Sequence, residues 1–236
     1  RLGKVIHIDS WLYNDLLRRP RLRQELDEQK GAGFILRQAP HLVDIVNYIA
    51  VSPAQSVRAM SGRWEPKMPS DGNLSALIAY ESGALASMSL NGYGYFDSSE
   101  LSWGIGPFGK RQESNKPVKR PEGALGEHEK YSQSRDASAG DAMPFFGLHV
   151  VSFERGVIRQ SPNGLLIYTD EGCEEVLLPL YLGRAAELIE LRDALREDRE
   201  VFPNGDWGKA NLEICLALLQ SAREGKDVAL KFQDLG

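Results

Sequence analysis

Apolar and polar residues alternate along many strand-length stretches of the chain, beginning with Val5–Tyr13. The same alternation, together with residues that favour strands, predicts further strands at 56–65, 73–80, 84–92, 98–106, 148–153, 157–160, 165–169, 176–179 and 227–232. Short glycine-containing turns separate neighbouring stretches, which indicates hairpins and antiparallel pairing. These turns are 81–83, 154–156 and 161–164.

Helical spacing replaces the alternation in four stretches. Leu42, Ile45, Val46 and Ile49 recur on one side of a helix, and Pro40 suits a helix start, so we expect a helix over 42–50. The other predicted helices are a charged one over 20–30 and two amphipathic ones over 184–196 and 207–224, the last ended by Gly225.

The predicted order of elements is one strand, two helices, a long run of hairpin-linked strands and two final helices. This order indicates an α+β fold around a large, open and mostly antiparallel sheet, and not the β-α-β-α alternation of a doubly wound domain. Residues 110–143 are rich in Lys, Glu, Ser, Gly and Pro and contain few aliphatic residues. We expect a mobile or disordered surface insertion there, with an active-site lid as the alternative.

One stretch, from Gly104 to Gly109, spells the G-x-G-x-x-G fingerprint of dinucleotide-binding loops. A functional fingerprint follows a strand and opens a helix, but the polar residues after Gly109 have no apolar helical face. Pro107 also removes one backbone N–H that a phosphate would need. The context therefore favours a tight turn over a cofactor loop.

Composition narrows the class of protein. The 236 residues are 42% hydrophobic, enough for a sizeable core, and the net charge of −5 predicts no general attraction to nucleic acid or anionic membranes. No apolar run approaches the roughly 20 residues of a membrane span. Cys173 and Cys215 have no C-x-x-C spacing, so we expect a reduced, cytoplasmic protein, although a disulfide stays possible. The chain begins without Met and already strand-like, so we expect a fragment of a longer protein.

The most suggestive candidate for chemistry is a His/Asp pair at the predicted start of the 42–50 helix. His41 and Asp44 lie three residues apart, so both can face one side of the helix. A histidine at this position is a plausible proton carrier, and the helix dipole would lower its pKa and favour the neutral base. The alternative is that His41 is a buried, hydrogen-bonded residue and that Asp44 complements the helix dipole.

A second candidate is the aromatic and glycine-rich stretch 91–97. Glycines between Tyr93, Tyr95 and Phe96 at a strand end suit a surface that a ligand approaches closely, whereas packed tyrosines in a loosened hairpin are the alternative. Asp97 follows directly. The histidines and cysteines have no metal-ligand spacing, so we expect no metal site.

These stretches, taken together, resemble one enzyme family. Residues 31–44 resemble the G-G-G-x-x-x-D-x-G-x-H-x-x-D segment of the glucose–fructose oxidoreductase / inositol dehydrogenase / MocA family. Tyr93 and Tyr95 resemble its tyrosine-bearing strand end, 106–109 its G-x-x-G turn, and 205–228 its last helix and strand. The resemblance covers nearly the whole chain, but only the C-terminal half of a family member. It implies a sheet domain that binds substrate and assembles into homo-oligomers through its open face.

Several details resemble the phthalate 4,5-cis-dihydrodiol dehydrogenases within this family, among them 37–41, 92–98, 153–156, 161–165 and 206–208. The resemblance implies oxidation of a cyclic cis-diol with NAD or NADP, bound mainly by an N-terminal domain that this chain lacks. It makes His41 the catalytic proton acceptor and Arg37, Asp44, Tyr93, Tyr95 and Asp97 candidate substrate contacts, with no cofactor-binding residue in this chain.

One departure from the family pattern concerns Arg37, which stands where the family has an aspartate four residues before the histidine. We expect this guanidinium to bind a substrate carboxylate, unless it is an exposed or ion-paired structural residue. Two other functions stay open: the same fold acting on a sugar or inositol, and a non-catalytic sheet module that only assembles.

Overall fold

A single sheet dominates the computed structural model, which describes residues 2–19, 22–27, 31–65, 68, 70–111, 140–179, 183 and 185–234. Within these residues its nine strands are β1 (Val5–Tyr13), β2 (Ala54–Gly62), β3 (Asn73–Tyr80), β4 (Leu85–Asn91), β5 (Leu148–Phe153), β6 (Gly156–Ser161), β7 (Gly164–Thr169), β8 (Gly172–Leu177) and β9 (Val228–Ala229). Their order is β8-β7-β6-β5-β1-β4-β3-β2-β9, and among the named strand pairs β1 and β4 alone run parallel. The predicted α+β fold with a large, open and mostly antiparallel sheet is confirmed.

The helices of the described residues are α1 (Phe34–Ala50), α2 (Ala185–Glu197) and α3 (Gly205–Glu224). Two of these three helices, α1 and α3, cover one face of this sheet. The core lies between the sheet and α1 with α3, where Ile8, Ile78 and Leu218 are fully buried. Asn204 caps the start of α3 by accepting a hydrogen bond from the Trp207 amide, and Gly225 ends it in the left-handed conformation, as predicted.

Helix α1 begins eight residues before the predicted start, at Phe34, so Pro40 lies inside it. An interior proline removes one helical hydrogen bond and costs about 3 kcal/mol. Phe34 and Ile35 are 0% and 2% exposed, and burying two such side chains offsets a cost of that size. The prediction that Pro40 marks the helix start was wrong because core packing outweighs the local signal.

Four other predicted elements differ from the structure. The strand predicted at 176–179 is β8, which runs from Gly172 to Leu177. The stretch 98–106 is no strand: Asp97 caps a short 3₁₀ helix at Ser98–Leu101, and a turn follows. In the described part of 20–30, the only helix is a single 3₁₀ turn at Arg23–Leu26. The last strand shortens to Val228–Ala229, because Glu213 instead binds the backbone amides of Lys231 and Phe232.

Most of the predicted insertion, 112–139, lies outside the described residues. Its two described ends are held together by backbone hydrogen bonds. The Gly140 amide donates to the Phe108 carbonyl at 2.7 Å, and the Ala142 amide donates to the Gly109 carbonyl at 3.3 Å. The described residues on the two sides of the segment, 108–109 and 140–142, therefore lie next to each other.

A chain of side-chain hydrogen bonds joins α1, α3 and β3. Asp44 accepts from the Trp207 indole N–H at 2.6 Å and from the Asn211 amide at 2.9 Å. Asn211 in turn accepts from Asn47 at 2.7 Å, and Asn47 accepts from the Tyr80 hydroxyl at 2.8 Å. We call these five residues the polar seam. Asn47 and Tyr80 are almost fully buried, and burial raises the pKa of the Tyr80 hydroxyl well above its ordinary value.

Replacing Tyr80 by Phe tests the seam. The change removes only the hydroxyl and leaves the Asn47 oxygen buried without that partner, so we expect a loss of about 1–2 kcal/mol in the free energy of unfolding. The matched control is Tyr168→Phe, because the Tyr168 hydroxyl bonds to Arg159 on an exposed strand surface and should cost under about 0.5 kcal/mol. Urea denaturation measures the free energy of unfolding of both variants. Equal losses in the two would contradict a stabilising role of the polar seam.

Candidate active site

A cavity of about 400 Å³ opens beside the N-terminal half of α1 and the end of β1. This volume is within the range of small-molecule sites. The walls combine aromatic rings with polar side chains, and the polar ones come from α1, from the loop after β1 and from 97–102. The aromatic residues that line it are Tyr13, Phe108, Phe145 and Phe146.

His41 lines this cavity from the middle of α1, with part of its ring open to solvent. Its ring packs against the Phe146 ring, with centroids 4.8 Å apart. Burial lowers the pKa of His41, the Asp44 carboxylate opposes that effect, and the Arg37 cation adds to it. The direction is the expected one, but the dipole argument fails because α1 begins seven residues earlier and the dipole acts within the first turn.

Arg37 lies one helical turn before His41 and lines the same cavity. Its Nη2 forms an ion pair of 2.9 Å with Glu25, whose side chain is only 6% exposed. The Arg37 side chain is 38% exposed, so its guanidinium contacts the buried Glu25 carboxylate on one side and the open cavity on the other. A guanidinium has five N–H donors, and one such bond leaves others for a ligand.

Asp44 does not line the cavity, although it lies three residues after His41. Its Oδ1 is held by Trp207 and Asn211 in the polar seam. The structure therefore separates the two members of the predicted pair: His41 faces the cavity and Asp44 faces α3. Its substrate role stays a prediction, and its charge still acts on His41 from one turn away.

The three candidates from the 91–97 stretch lie in different surroundings. Asp97 lines the cavity, and its carboxylate caps the Ser99 amide at 2.8 Å. Tyr93 is 8% exposed, and its hydroxyl accepts a hydrogen bond from the Trp64 amide at 2.8 Å. Tyr95 is 81% exposed and packs against the Arg18 guanidinium, 4.1 Å from the ring centroid. Neither tyrosine lines the cavity.

Sequence reasoning missed several lining residues, chiefly Asn14, Gln38 and Phe146. Gln38 is three residues before His41, so a helix starting at Phe34 would have put it on the cavity side. Its Oε1 accepts a hydrogen bond from the Asn14 amide at 3.1 Å. Phe146 carried no local signal, because it follows the long polar insertion and reaches α1 only through the sheet.

The glycine stretch is a turn, as its context predicted. The Gly106 amide donates to Lys110 at 3.0 Å, and the Gly109 amide donates to Gly106 at 3.1 Å. Gly109 has φ of +71°, and a side chain there would collide with the Ala142 carbonyl oxygen, 2.1 Å from the ideal Cβ. Because these amides are already bonded, the stretch does not fit a cofactor pyrophosphate.

The described residues show neither a metal centre nor a membrane-spanning helix. They contain no cluster of three or more histidine, cysteine or acidic side chains that could hold a metal ion. Within the same residues, no helix has the length and apolar character needed to cross a membrane.

Comparison with known proteins shows similarity to proteins described as dehydrogenases. The model of the GFO/IDH/MocA C-terminal domain matches residues 1–101. The 1-carboxy-3-chloro-3,4-dihydroxycyclohexa-1,5-diene dehydrogenase of Comamonas testosteroni is 28% identical over 240 residues, covering 94% of this chain and 60% of that protein. The crystal structure of a Bordetella bronchiseptica RB50 protein described as a dehydrogenase is 36% identical with a TM-score of 0.87, covering 97% of this chain and 63% of the other.

More distant structures share the fold alone. A dehydrogenase of Bordetella pertussis, solved with NADH and UDP-GlcNAcA, is 17% identical with a TM-score of 0.60, covering 98% of this chain and 57% of the other. The chain thus spans less than two thirds of the length of all three relatives.

Proposed function

We propose that the chain is the substrate-binding and assembly part of an NAD(P)-dependent dehydrogenase that oxidises a cyclic cis-diol, because residues 1–101 match the model of the GFO/IDH/MocA C-terminal domain. The observation that carries the proposal is the cavity in which His41, Arg37 and aromatic rings meet. The name of the Comamonas relative, a dehydrogenase of a carboxylated dihydroxycyclohexadiene, supports this substrate class.

His41 acts as the proton acceptor of the reaction. Its lowered pKa keeps the ring neutral near physiological pH, and a neutral imidazole can take the proton of a substrate hydroxyl in the cavity. As the O–H proton moves to His41, the carbon that carries this hydroxyl group loses a hydride and becomes a carbonyl carbon. Positioned proton transfer of this kind contributes about 10²–10⁴-fold to the rate.

The hydride acceptor is NAD or NADP, which supplies the redox chemistry when bound. The described residues supply the substrate side of such a site, since the three glycine amides of 104–109 are already bonded to backbone carbonyls. The proposal therefore assigns most of the pyrophosphate binding to residues beyond the described ones. The NADH in the Bordetella pertussis structure supports this class of cofactor.

Arg37 binds a carboxylate of the substrate. The ion pair with Glu25 fixes one edge of the guanidinium, and the remaining N–H groups face an anion in planar geometry. The competing interpretation is that the Glu25 pair is the whole role of Arg37. The two interpretations predict different results for an Arg37 variant. Only carboxylate binding makes its loss of kcat/KM depend on the charge of the substrate.

A sugar or inositol is the second candidate substrate. The Asn14 and Gln38 amides on the cavity wall favour it, because hydrogen-bonding side chains suit a polyol. Aromatic walls and the cationic Arg37 favour a carboxylated ring instead.

The outward face of the sheet assembles the protein into a homo-oligomer. Trp11, Leu85, Leu77 and Met60 lie on β1, β4, β3 and β2 of this face and are 42%, 52%, 58% and 71% exposed. Large apolar side chains grouped on an open sheet are typical of a protein–protein interface. A second copy of the chain is the partner that the family resemblance implies.

His41→Ala tests the proposed catalysis in the full-length protein. We expect kcat to fall at least 10-fold with the fold intact, because no neighbouring group replaces the proton acceptor. His7→Ala is the control, since His7 projects from the opposite sheet face. Turnover of the His41 variant close to wild type would leave the non-catalytic assembly module as the better function.

Arg37→Ala tests the substrate class. We expect kcat/KM to fall about 10- to 100-fold for a carboxylated cyclic cis-diol and less than threefold for a neutral one, because only the former loses a charged hydrogen bond. Arg58→Ala, on the outward face of β2, is the control. Equal losses on both diols would assign Arg37 to the Glu25 pair, and preferential turnover of inositol or sugars would favour the second candidate.

Leu77→Glu tests assembly, because it places a charge in the middle of the exposed apolar face. We expect the variant to elute as a smaller species in size-exclusion chromatography with light scattering. Leu188→Glu on α2 is the matched control, since Leu188 is equally apolar and 70% exposed but lies off the sheet. An unchanged mass for Leu77→Glu would contradict the interface.

A further inference from the structure

His149 is a buried imidazole that the proposed chemistry does not use. It lies on β5, is 4% exposed and faces the helix side of the sheet, opposite the fully buried Ser10 of β1. Its Nε2 lies 3.1 Å from the carbonyl oxygen of Phe146, three residues earlier. The side chain therefore folds back on the segment that leads into its own strand.

This segment makes a sharp bend immediately before β5. Gly147 has φ of +86°, and a side chain there would lie 2.6 Å from the Trp11 carbonyl oxygen, so the bend is specific to glycine. Gln160 of β6 supports the same bend, because its Oε1 accepts from the His149 backbone amide at 2.8 Å. The His149 ring closes the bend from inside, at the carbonyl of Phe146.

Phe146 is the residue that connects this bend to the site. Its ring packs on the His41 ring at 4.8 Å and also contacts the main core. A hydrogen bond to its carbonyl fixes where that ring lies, since Phe146 is outside the regular strand. Phe146 therefore contacts both histidines: its carbonyl oxygen bonds to His149 on the sheet, and its ring packs on His41 of α1.

His149 suits a fixed structural donor. Burial lowers its pKa to about 4, so the ring stays neutral over the working range. A neutral imidazole has one N–H, and the Phe146 carbonyl requires that proton on Nε2. Nδ1 is then an acceptor, and it is buried without a hydrogen-bond partner among the described residues. The buried ring is held by one bond alone, which is the bond to Phe146.

We propose that His149 is a positioning residue for the reaction: its bond to the Phe146 carbonyl holds the Phe146 ring against His41. This inference rests on the proposed function, in which His41 is the proton acceptor. Without the bond, the Phe146 ring leaves its place, and water reaches the part of the His41 imidazole that this ring now covers.

The expected change at His41 has a definite sign. The charged groups around it are Arg37 and Asp44 on its own helix, with Arg19 and Asp97 across the cavity. None of these changes when His149 is replaced. Burial is the largest influence on the His41 pKa and lowers it, so hydration of the ring raises the pKa toward the ordinary value of about 6.5. A base must be neutral, so the acid limb of kcat/KM then moves to higher pH.

The experiment uses the full-length enzyme with His149→Phe, His149→Gln, Phe146→Leu and the double variant. His149→Phe keeps an aromatic ring without the donor, whereas His149→Gln retains an N–H that can reach the carbonyl. We expect His149→Phe to raise the His41 pKa, read from its imidazole NMR signal, and to lower kcat about 10-fold. His149→Gln should restore kcat to within about threefold, and the double variant should match Phe146→Leu.

Two results would overturn the inference: an unchanged His41 titration in folded His149→Phe, or effects of the two sites that add in the double variant. If His149→Phe does not fold, Phe146→Leu alone decides, because an unmoved His41 titration there removes the link. The NMR titration needs no turnover. His149→Phe could shift the His41 titration while His41→Ala keeps a normal kcat. That pair of results would reject the proposed function but would still show that His149 holds the Phe146 ring against His41.

Discussion

The polar seam between α1 and α3 fixes the helix on which the candidate site is built. Asp44 meets two donors of α3, and the chain of bonds continues through Asn47 to β3. A single bond of this kind contributes about 1 kcal/mol net, but a buried partner left unpaired costs more. A rotation or shift of α1 would break several bonds at once, so the seam determines which way His41 faces.

The seam also explains why two residues of one short motif have separate tasks. Side chains three residues apart on a helix point in directions that differ by about 60° around the axis. This difference is enough to direct His41 to the cavity and Asp44 to α3. Asp44 therefore works through structure and through its charge, which opposes the lowering of the His41 pKa. The net effect is a lowered pKa at His41, because burial outweighs the effect of its carboxylate neighbour.

The sheet could be predicted from the sequence because alternation is a local signal that packing preserves. The bounds of β1, β3 and β5 agree with the predicted ones. The predictions failed where another interaction outweighed the local sequence preference. Pro40 is tolerated inside α1 because Phe34 and Ile35 are buried. Residues 98–101 form a 3₁₀ turn instead of a strand because Asp97 caps it.

The candidate site was predictable only in part, for a related reason. His41 and Arg37 share one helix, so spacing alone places them together. Phe146 and Asn14 reach the same cavity because β1 and β5 are neighbours in the sheet, although the two residues are 132 positions apart in the sequence. No local pattern encodes such a contact, and a model of the pairing order is needed to find it.

In the proposed function, the arrangement separates proton transfer from substrate choice. His41 sits on a helix that the core and the polar seam hold, whereas much of the cavity wall comes from loops around Asn14, Asp97 and Phe146. Loops accept substitutions that a core helix cannot, because fewer buried contacts depend on them. A family that keeps the helix and varies the loops can therefore retain one proton acceptor while changing the ring, charge and hydroxyl pattern of its substrate. Under the same proposal Arg37 is the exception, since it puts a charge that chooses the substrate on the helix itself, where Glu25 fixes its position.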